Sequence, residues 1–140
     1  MKTYIGTKII KAVEMDENSY LEEKGNPTPA ETRPGYKVEY EDGYVSWSPD
    51  YAFEKAYRLA DGMNFGLAIE ALRKGKKVAR SGWNGVGLWL ELQVPDAHSK
   101  MTLPYIYINY PDNAKNTPGA RCPWLASQTD MLADDWRIVE

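Results

Sequence analysis

Met63-Asn64-Phe65-Gly66-Leu67-Ala68-Ile69-Glu70-Ala71-Leu72-Arg73-Lys74-Gly75-Lys76-Lys77-Val78-Ala79-Arg80 changes its period partway along, and that change sets the fold class. Phe65, Ala68, Ile69 and Leu72 recur at amphipathic helical spacing from Asn64 onward. A basic last turn and Gly75 then provide a C-terminal stop, because glycine tolerates the left-handed backbone that closes a helix. Lys76 to Arg80 restarts as a strand. A helix feeding a strand, followed by further strands with no second long helix, predicts an α+β domain with one helix packed on a small, mainly antiparallel sheet.

Downstream, Ser81-Gly82-Trp83-Asn84-Gly85-Val86-Gly87 reads as a tight glycine-rich turn that leaves Trp83 and Asn84 with little cover. Leu88 to Val94 is a mostly apolar strand, and Tyr105 to Tyr110 alternates tyrosines with isoleucines. After a loop from Pro111 to Gly119, Arg121-Cys122-Pro123-Trp124 leads into Leu125-Ala126-Ser127-Gln128-Thr129-Asp130-Met131-Leu132-Ala133-Asp134-Asp135-Trp136. Ser127 or Thr129 can cap a short helical turn with Asp130 near its positive end, Met131 and Leu132 are expected to turn inward, and Trp136 to Val139 would close the sheet. Trp124 and Trp136 bracket that turn, as core residues or as stacking surfaces.

Upstream, Thr3 to Glu14 is rich in β-formers and predicts a strand, and Asp16 to Leu21 a helical turn. Lys24 to Gly35 carries three prolines and two glycines and is a loop. Tyr36 to Tyr40 and Tyr44 to Trp47 alternate with period two around Glu41-Asp42-Gly43, a hairpin. Ser48 as N-cap and Pro49 as first helical residue then start a helix to about Arg58, with Phe53, Ala56 and Tyr57 on one face. With the seam at Asp61-Gly62, the chain divides into a small β-hairpin-plus-helix module over 1–61 and a second domain over 62–140.

Residues 1–61 hold 8 Lys or Arg against 12 Asp or Glu, a net −4, and residues 62–140 hold 9 against 8, a net +1. Neither half has the basic field that grips long nucleic acid. A single cysteine, Cys122, excludes an internal disulfide, and as a residue in or near a strand it is expected to be a buried, inert thiol. No apolar run approaches the roughly 20 residues of a membrane span, and the N-terminus lacks a signal-peptide core, so the reading is of a soluble, unsecreted protein.

Catalytic readings are thin. The one histidine, His98, lies in a polar connection and reads as an exposed side chain, with Asp96 and Ser99 nearby. Asp130, Asp134 and Asp135 are candidates for metal or acid work, and Asp130 and Asp134, four apart on a helical turn, could together hold Mg²⁺, although carboxylates around a short helix are also ordinary caps and solvated charges. What remains is a binding kit. Phe65, Trp83 and Trp124 offer π faces, Arg80 and Arg121 planar donors for phosphate, and Asn84, Ser127, Gln128, Thr129 and Asp130 polar groups for ribose or a base edge. Each taken singly has a plain structural explanation as core, turn former or surface charge.

Three stretches in order, Met63 to Leu72, Lys76 to Gly85 and Pro123 to Trp136, resemble the small phage-encoded Thoeris anti-defence proteins of the second type. The resemblance covers 63–140, with 1–61 as an added accessory module. It implies a sponge that binds a cyclic ADP-ribose isomer, glycocyclic ADP-ribose, made by the Toll/interleukin-receptor domain protein of the bacterial Thoeris system. The signal is withheld from its effector without being cleaved. The resemblance further implies a homo-oligomer, a tetramer, with ligand pockets at subunit contacts, working in the cytoplasm of the infected host. Phe65, Trp83, Asn84, Trp124, Ser127, Thr129 and Asp130 carry over as ligand-binding residues, with Arg80 and Arg121 added from phosphate chemistry. No catalytic residue, metal or cofactor is expected, and no membrane or long nucleic acid as partner. The alternatives are a sponge for cyclic oligonucleotide signals of the CBASS type, a metal-dependent enzyme degrading such signals through Asp130 and Asp134, and a structural or interaction module.

Overall fold

The computed structural model describes all 140 residues. Contacts divide them into two compact units, Met1–Arg58 and Leu59–Glu140. The architecture is α+β, with two antiparallel sheets of three and five strands. No helix is long and apolar enough to cross a membrane.

The first unit contains β1 (Lys11–Glu14), α1 (Glu17–Glu23), β2 (Gly35–Glu39), β3 (Val45–Pro49) and α2 (Asp50–Ala56), with the sheet in the order β1-β2-β3. The strand expected over Thr3 to Glu14 is confined to its last four residues. The ladder ends at Lys11 opposite Glu39, because Tyr40 turns away into the hairpin, its carbonyl accepting from the Gly43 amide at 2.9 Å. Residues before Lys11 therefore meet no strand partner, whatever their β propensity. The helix after the hairpin also differs from expectation. Ser48 stays in β3, Pro49 occupies the cap with no side-chain hydrogen bond, and the helix stops at Ala56 because Tyr57 is extended. Phe53 does turn to the sheet, stacked on Tyr36 at 4.1 Å, while Ala56 is exposed. Val38 is the unit's fully buried hydrophobic residue, at 1% exposure, so this core is small.

The second unit contains α3 (Phe65–Arg73), β4 (Lys77–Arg80), β5 (Trp89–Gln93), β6 (Tyr105–Asn109), β7 (Arg121–Pro123), α4 (Gln128–Leu132) and β8 (Trp136–Val139). Its sheet runs β7-β6-β5-β4-β8. Asn64 caps α3, its side-chain oxygen accepting from the Leu67 amide at 2.9 Å. At the other end the Gly75 amide donates to Leu72 O at 2.9 Å and the Lys76 amide to Ala71 O at 3.0 Å, with Gly75 at φ +79°. This double closure needs a left-handed residue at that point. The helix lays Ala68, Ala71 and Leu72 on Val78, Leu90 and Ile108, which sit side by side in register on one face of the sheet. Leu72, Val78 and Leu90, all fully buried, each contribute about 1.5–3 kcal/mol.

Cys122 continues that row, opposite Ile108, yet it is exposed rather than buried. The helix packs over β4, β5 and β8 and leaves the β7 edge uncovered. The opposite face of the sheet carries its own polar network. Trp89 Nε1 and Asn109 Nδ2 both donate to Glu91 Oε2, at 3.1 and 2.9 Å, and Asn109 is 3% exposed.

Candidate functional site

The stretch expected to form a capped turn does so. Ser127 is the N-cap of α4, and its hydroxyl accepts from the Asp130 amide at 3.1 Å while the Ser127 amide donates to Asp130 Oδ2 at 3.1 Å. This reciprocal pairing is the capping box, here closed by aspartate in place of the usual glutamate or glutamine. The turn is only five residues long, and Asp130 takes its inward position at 9% exposure. Met131 and Leu132, expected to face inward, instead point outward at 38% and 78% exposure.

Asp130 faces in because its carboxylate has many partners. Oδ1 accepts from Arg80 Nη1 at 2.8 Å and from Trp83 Nε1 at 3.1 Å, and Oδ2 accepts from the Ser127 hydroxyl at 2.8 Å as well as its amide. Burial pushes the carboxyl's pKa upward, but the donors from Arg80, Trp83 and Ser127 outweigh it and hold the group at about 2. Arg80 also donates through Nε to Asp135 Oδ1 at 2.8 Å, while Asp135 Oδ2 accepts from the Gly82 amide at 2.7 Å. The Arg80 hydrogen bond, helped by the Gly82 amide, draws the Asp135 carboxyl below its ordinary range; the two carboxylates, Asp135 foremost, raise the Arg80 guanidinium. Asp130 is thus a committed acceptor rather than a proton carrier at neutral pH.

Over this network lies an aromatic cluster. Trp136 is fully buried at its centre, and its Nε1 donates to the Asp130 backbone oxygen at 2.9 Å. Around it stand Phe65 at 5.4 Å, Trp83 at 5.5 Å and Trp124 at 6.0 Å between ring centroids. Trp83 and Trp124 lie 6.2 Å apart at an interplanar angle of 58°. Phe65, Trp83 and Trp124 are each half-buried, so each presents part of a ring outward over the buried floor of Trp136. The turn from Ser81 to Gly87 therefore does not leave Trp83 uncovered; Trp136 and Trp124 pack against it.

Of the nine residues singled out, Phe65, Arg80, Trp83, Trp124, Ser127, Thr129 and Asp130 come together here, with Ser127 Oγ 2.8 Å from Thr129 Oγ1 at the exposed rim. Asn84 is exposed on the turn that carries Trp83. Arg121 does not join them within one chain: it lies on β7 opposite Asn109, on the sheet face turned away from α3 and Ile108. Arg80, expected on phosphate, is committed through Nε and Nη1 to two carboxylates.

Asp130 and Asp134 do not share a helical face, because α4 ends at Leu132 and Ala133 is extended. No group of three His, Cys, Asp or Glu side chains is placed to hold a metal ion. Asp135 and Trp136 belong to the site, although the sequence offers Asp135 only for metal or acid chemistry and Trp136 only as a core or stacking residue bracketing the turn. The pairing of Asp135 with Arg80 has no local signal, since the two are 55 residues apart.

Residues 63–139 match the model of the Thoeris anti-defense 2-like domain, a span that includes every residue of the cluster. A relative from Bacillus phage SP01, Thoeris anti-defense 2, is 42% identical over 84 residues, covering 55% of this chain and 94% of the relative. With the matched domain spanning more than half of its length, the chain belongs to the Thoeris anti-defense 2-like family.

Proposed function

We propose that this protein is a non-enzymatic phage anti-defence sponge that sequesters a cyclic ADP-ribose isomer, glycocyclic ADP-ribose, made by the bacterial Thoeris system. The observation that carries the reading is the cluster of three half-buried aromatic faces, Phe65, Trp83 and Trp124, set on buried Trp136 beside the hydroxyl rim of Ser127 and Thr129. Such a surface suits a flat base that stacks and a ribose that accepts and donates hydrogen bonds. Asn84, exposed next to Trp83, extends that polar edge.

A non-catalytic role is supported by where protons sit. A general acid or base works best with a pKa near the operating pH, and Asp130 is held at about 2 as a fully engaged acceptor. His98 is exposed in the connection between β5 and β6, where the backbone amide of His98 and the Ser99 hydroxyl are tied to Asp96. Phosphate contacts fall to Arg80 Nη2 and to groups such as Arg121 supplied by another copy, in a homo-oligomer, a tetramer, with pockets at subunit contacts. Sequestration is stoichiometric, so the affinity is nanomolar, or about −12 kcal/mol. The place of action is the cytoplasm of the infected host.

The test is direct capture. Purified protein is mixed with glycocyclic ADP-ribose, free ligand is filtered away, and the protein is heat-denatured and the released material weighed by mass spectrometry. Recovery of intact signal, with Trp83→Ala and Trp124→Ala each weakening capture about 10- to 100-fold through lost stacking, is the expected result. Recovery of cleaved product, or no capture, would overturn it.

A further inference from the structure

We propose that Asp135 is the positioning residue of the aromatic site, holding the indole of Trp83 at the angle to Trp124 on which a ligand stacks. The ligand half of this inference rests on the sponge reading above; the structural half does not.

Asp135 closes two anchors at once. Its side chain accepts from Arg80 Nε at 2.8 Å and from the Gly82 amide at 2.7 Å, and its backbone oxygen accepts from the Ser81 amide at 3.1 Å. The turn that carries Trp83 is thereby tied to the start of β8 at two successive residues. Through Arg80 the same carboxylate reaches Trp83 by a second route, since Arg80 Nη1 and Trp83 Nε1 share Asp130 Oδ1. Backbone anchor and side-chain chain converge on one indole. Trp136, the next residue after Asp135, is the buried floor against which Trp83 leans edge-on at 5.5 Å and 79°. A displacement of Asp135 therefore moves wall and floor relative to each other.

The glycine at 82 fits this role. A Cβ there would stand 2.6 Å from Asp135 Oδ2, closer than side chains pack, so the carboxylate's approach to the turn amide requires the missing side chain. Asp135 is an aspartate with two oxygens in use on two different donors, which asparagine cannot reproduce because one of its terminal atoms donates.

The experiment uses the full chain with Asp135→Asn, followed by ¹H–¹⁵N spectra of the indole groups without ligand and by binding of glycocyclic ADP-ribose. Trp83 Nε1–H donates to Asp130, whereas Trp89 Nε1–H donates to Glu91 on the other face of the sheet and serves as the internal control. The expected result is a shifted and faster-exchanging Trp83 indole with Trp89 unmoved, and affinity lowered about tenfold or more, as loosened geometry costs a preorganised site. Both indoles moving together would show a general loosening of the fold and overturn the proposal. A Trp83 indole like the parent's in folded Asp135→Asn overturns the proposal, and so does lost affinity with the Trp83 resonance unchanged, which would make Asp135 a direct ligand contact. If Asp135→Asn does not fold, Gly82→Ala decides by the same two readouts. If the parent chain captures no signal, the sponge reading fails, and the Trp83 indole still tests the role of Asp135.

Discussion

Replacing Asp130 by asparagine keeps the side chain's shape and removes its charge, and the structure sets the size of the effect. The carboxyl lies at about 2 against an ordinary 3.8, a difference that corresponds to about 2 kcal/mol of stability when the group is ionised. The hydrogen bonds lead to a similar figure. Asparagine can keep the two donors on Oδ1, from Arg80 and Trp83, but it turns an amide toward the two donors from Ser127. Breaking part of a buried, charge-assisted cluster while leaving Asp135 as the one charged partner of Arg80 costs about 2–4 kcal/mol. The assay is urea unfolding followed by tryptophan emission, which reports chiefly on the second unit, because Trp83, Trp89, Trp124 and Trp136 lie there and Trp47 in the first. At neutral pH the midpoint of Asp130→Asn should fall by about 1–2 M urea. The folded-state pKa is depressed, so the parent's advantage is full above about pH 4 and fades as the pH falls toward 2. The two proteins should therefore converge in acid. A variant within about 0.5 kcal/mol of the parent at neutral pH, or a gap that stays constant from pH 5 to 2, would refute the assignment of Asp130 as an ionised structural hub.

Three further outcomes follow from the same geometry. Trp136→Phe removes the 2.9 Å hydrogen bond to the Asp130 backbone oxygen and part of the buried floor, and should cost about 2–4 kcal/mol in urea unfolding. Asn64→Ala removes the cap that accepts from the Leu67 amide and should cost about 1 kcal/mol in the same assay. Cys122 is exposed on β7, so the native protein should react with a thiol reagent at a rate close to that of the urea-unfolded chain; strong native protection would contradict its placement.

The local features of this chain were legible in advance because each depends on residues a few positions apart. The α3 stripe of Ala68 and Leu72, the Gly75 stop, the Ser127 cap and the alternation of β6 are all short-range patterns, and the structure contains each of them. Misreadings arose where a partner's length mattered. Thr3 to Ile10 has the composition of a strand, but β2 ends at Glu39, and composition does not report where a neighbour stops. Cys122 has strand neighbours, but its exposure depends on how far α3 reaches across the sheet.

The sequence alone carries the α+β class, the order of most elements and, through the three stretches between Met63 and Trp136, the family. It also named the aromatic and polar residues that gather around Trp136. What those residues do to one another depends on the folded arrangement. Arg80 meets Asp135 across 55 residues and Asp130 across 50, and Trp83 meets Asp130 across 47. A guanidinium with every donor free for phosphate and one with Nε and Nη1 committed to two carboxylates, leaving Nη2, have the same sequence; which of them exists depends on strand pairing that brings β8 beside β4, an arrangement set by burial of a shared core rather than by local pattern.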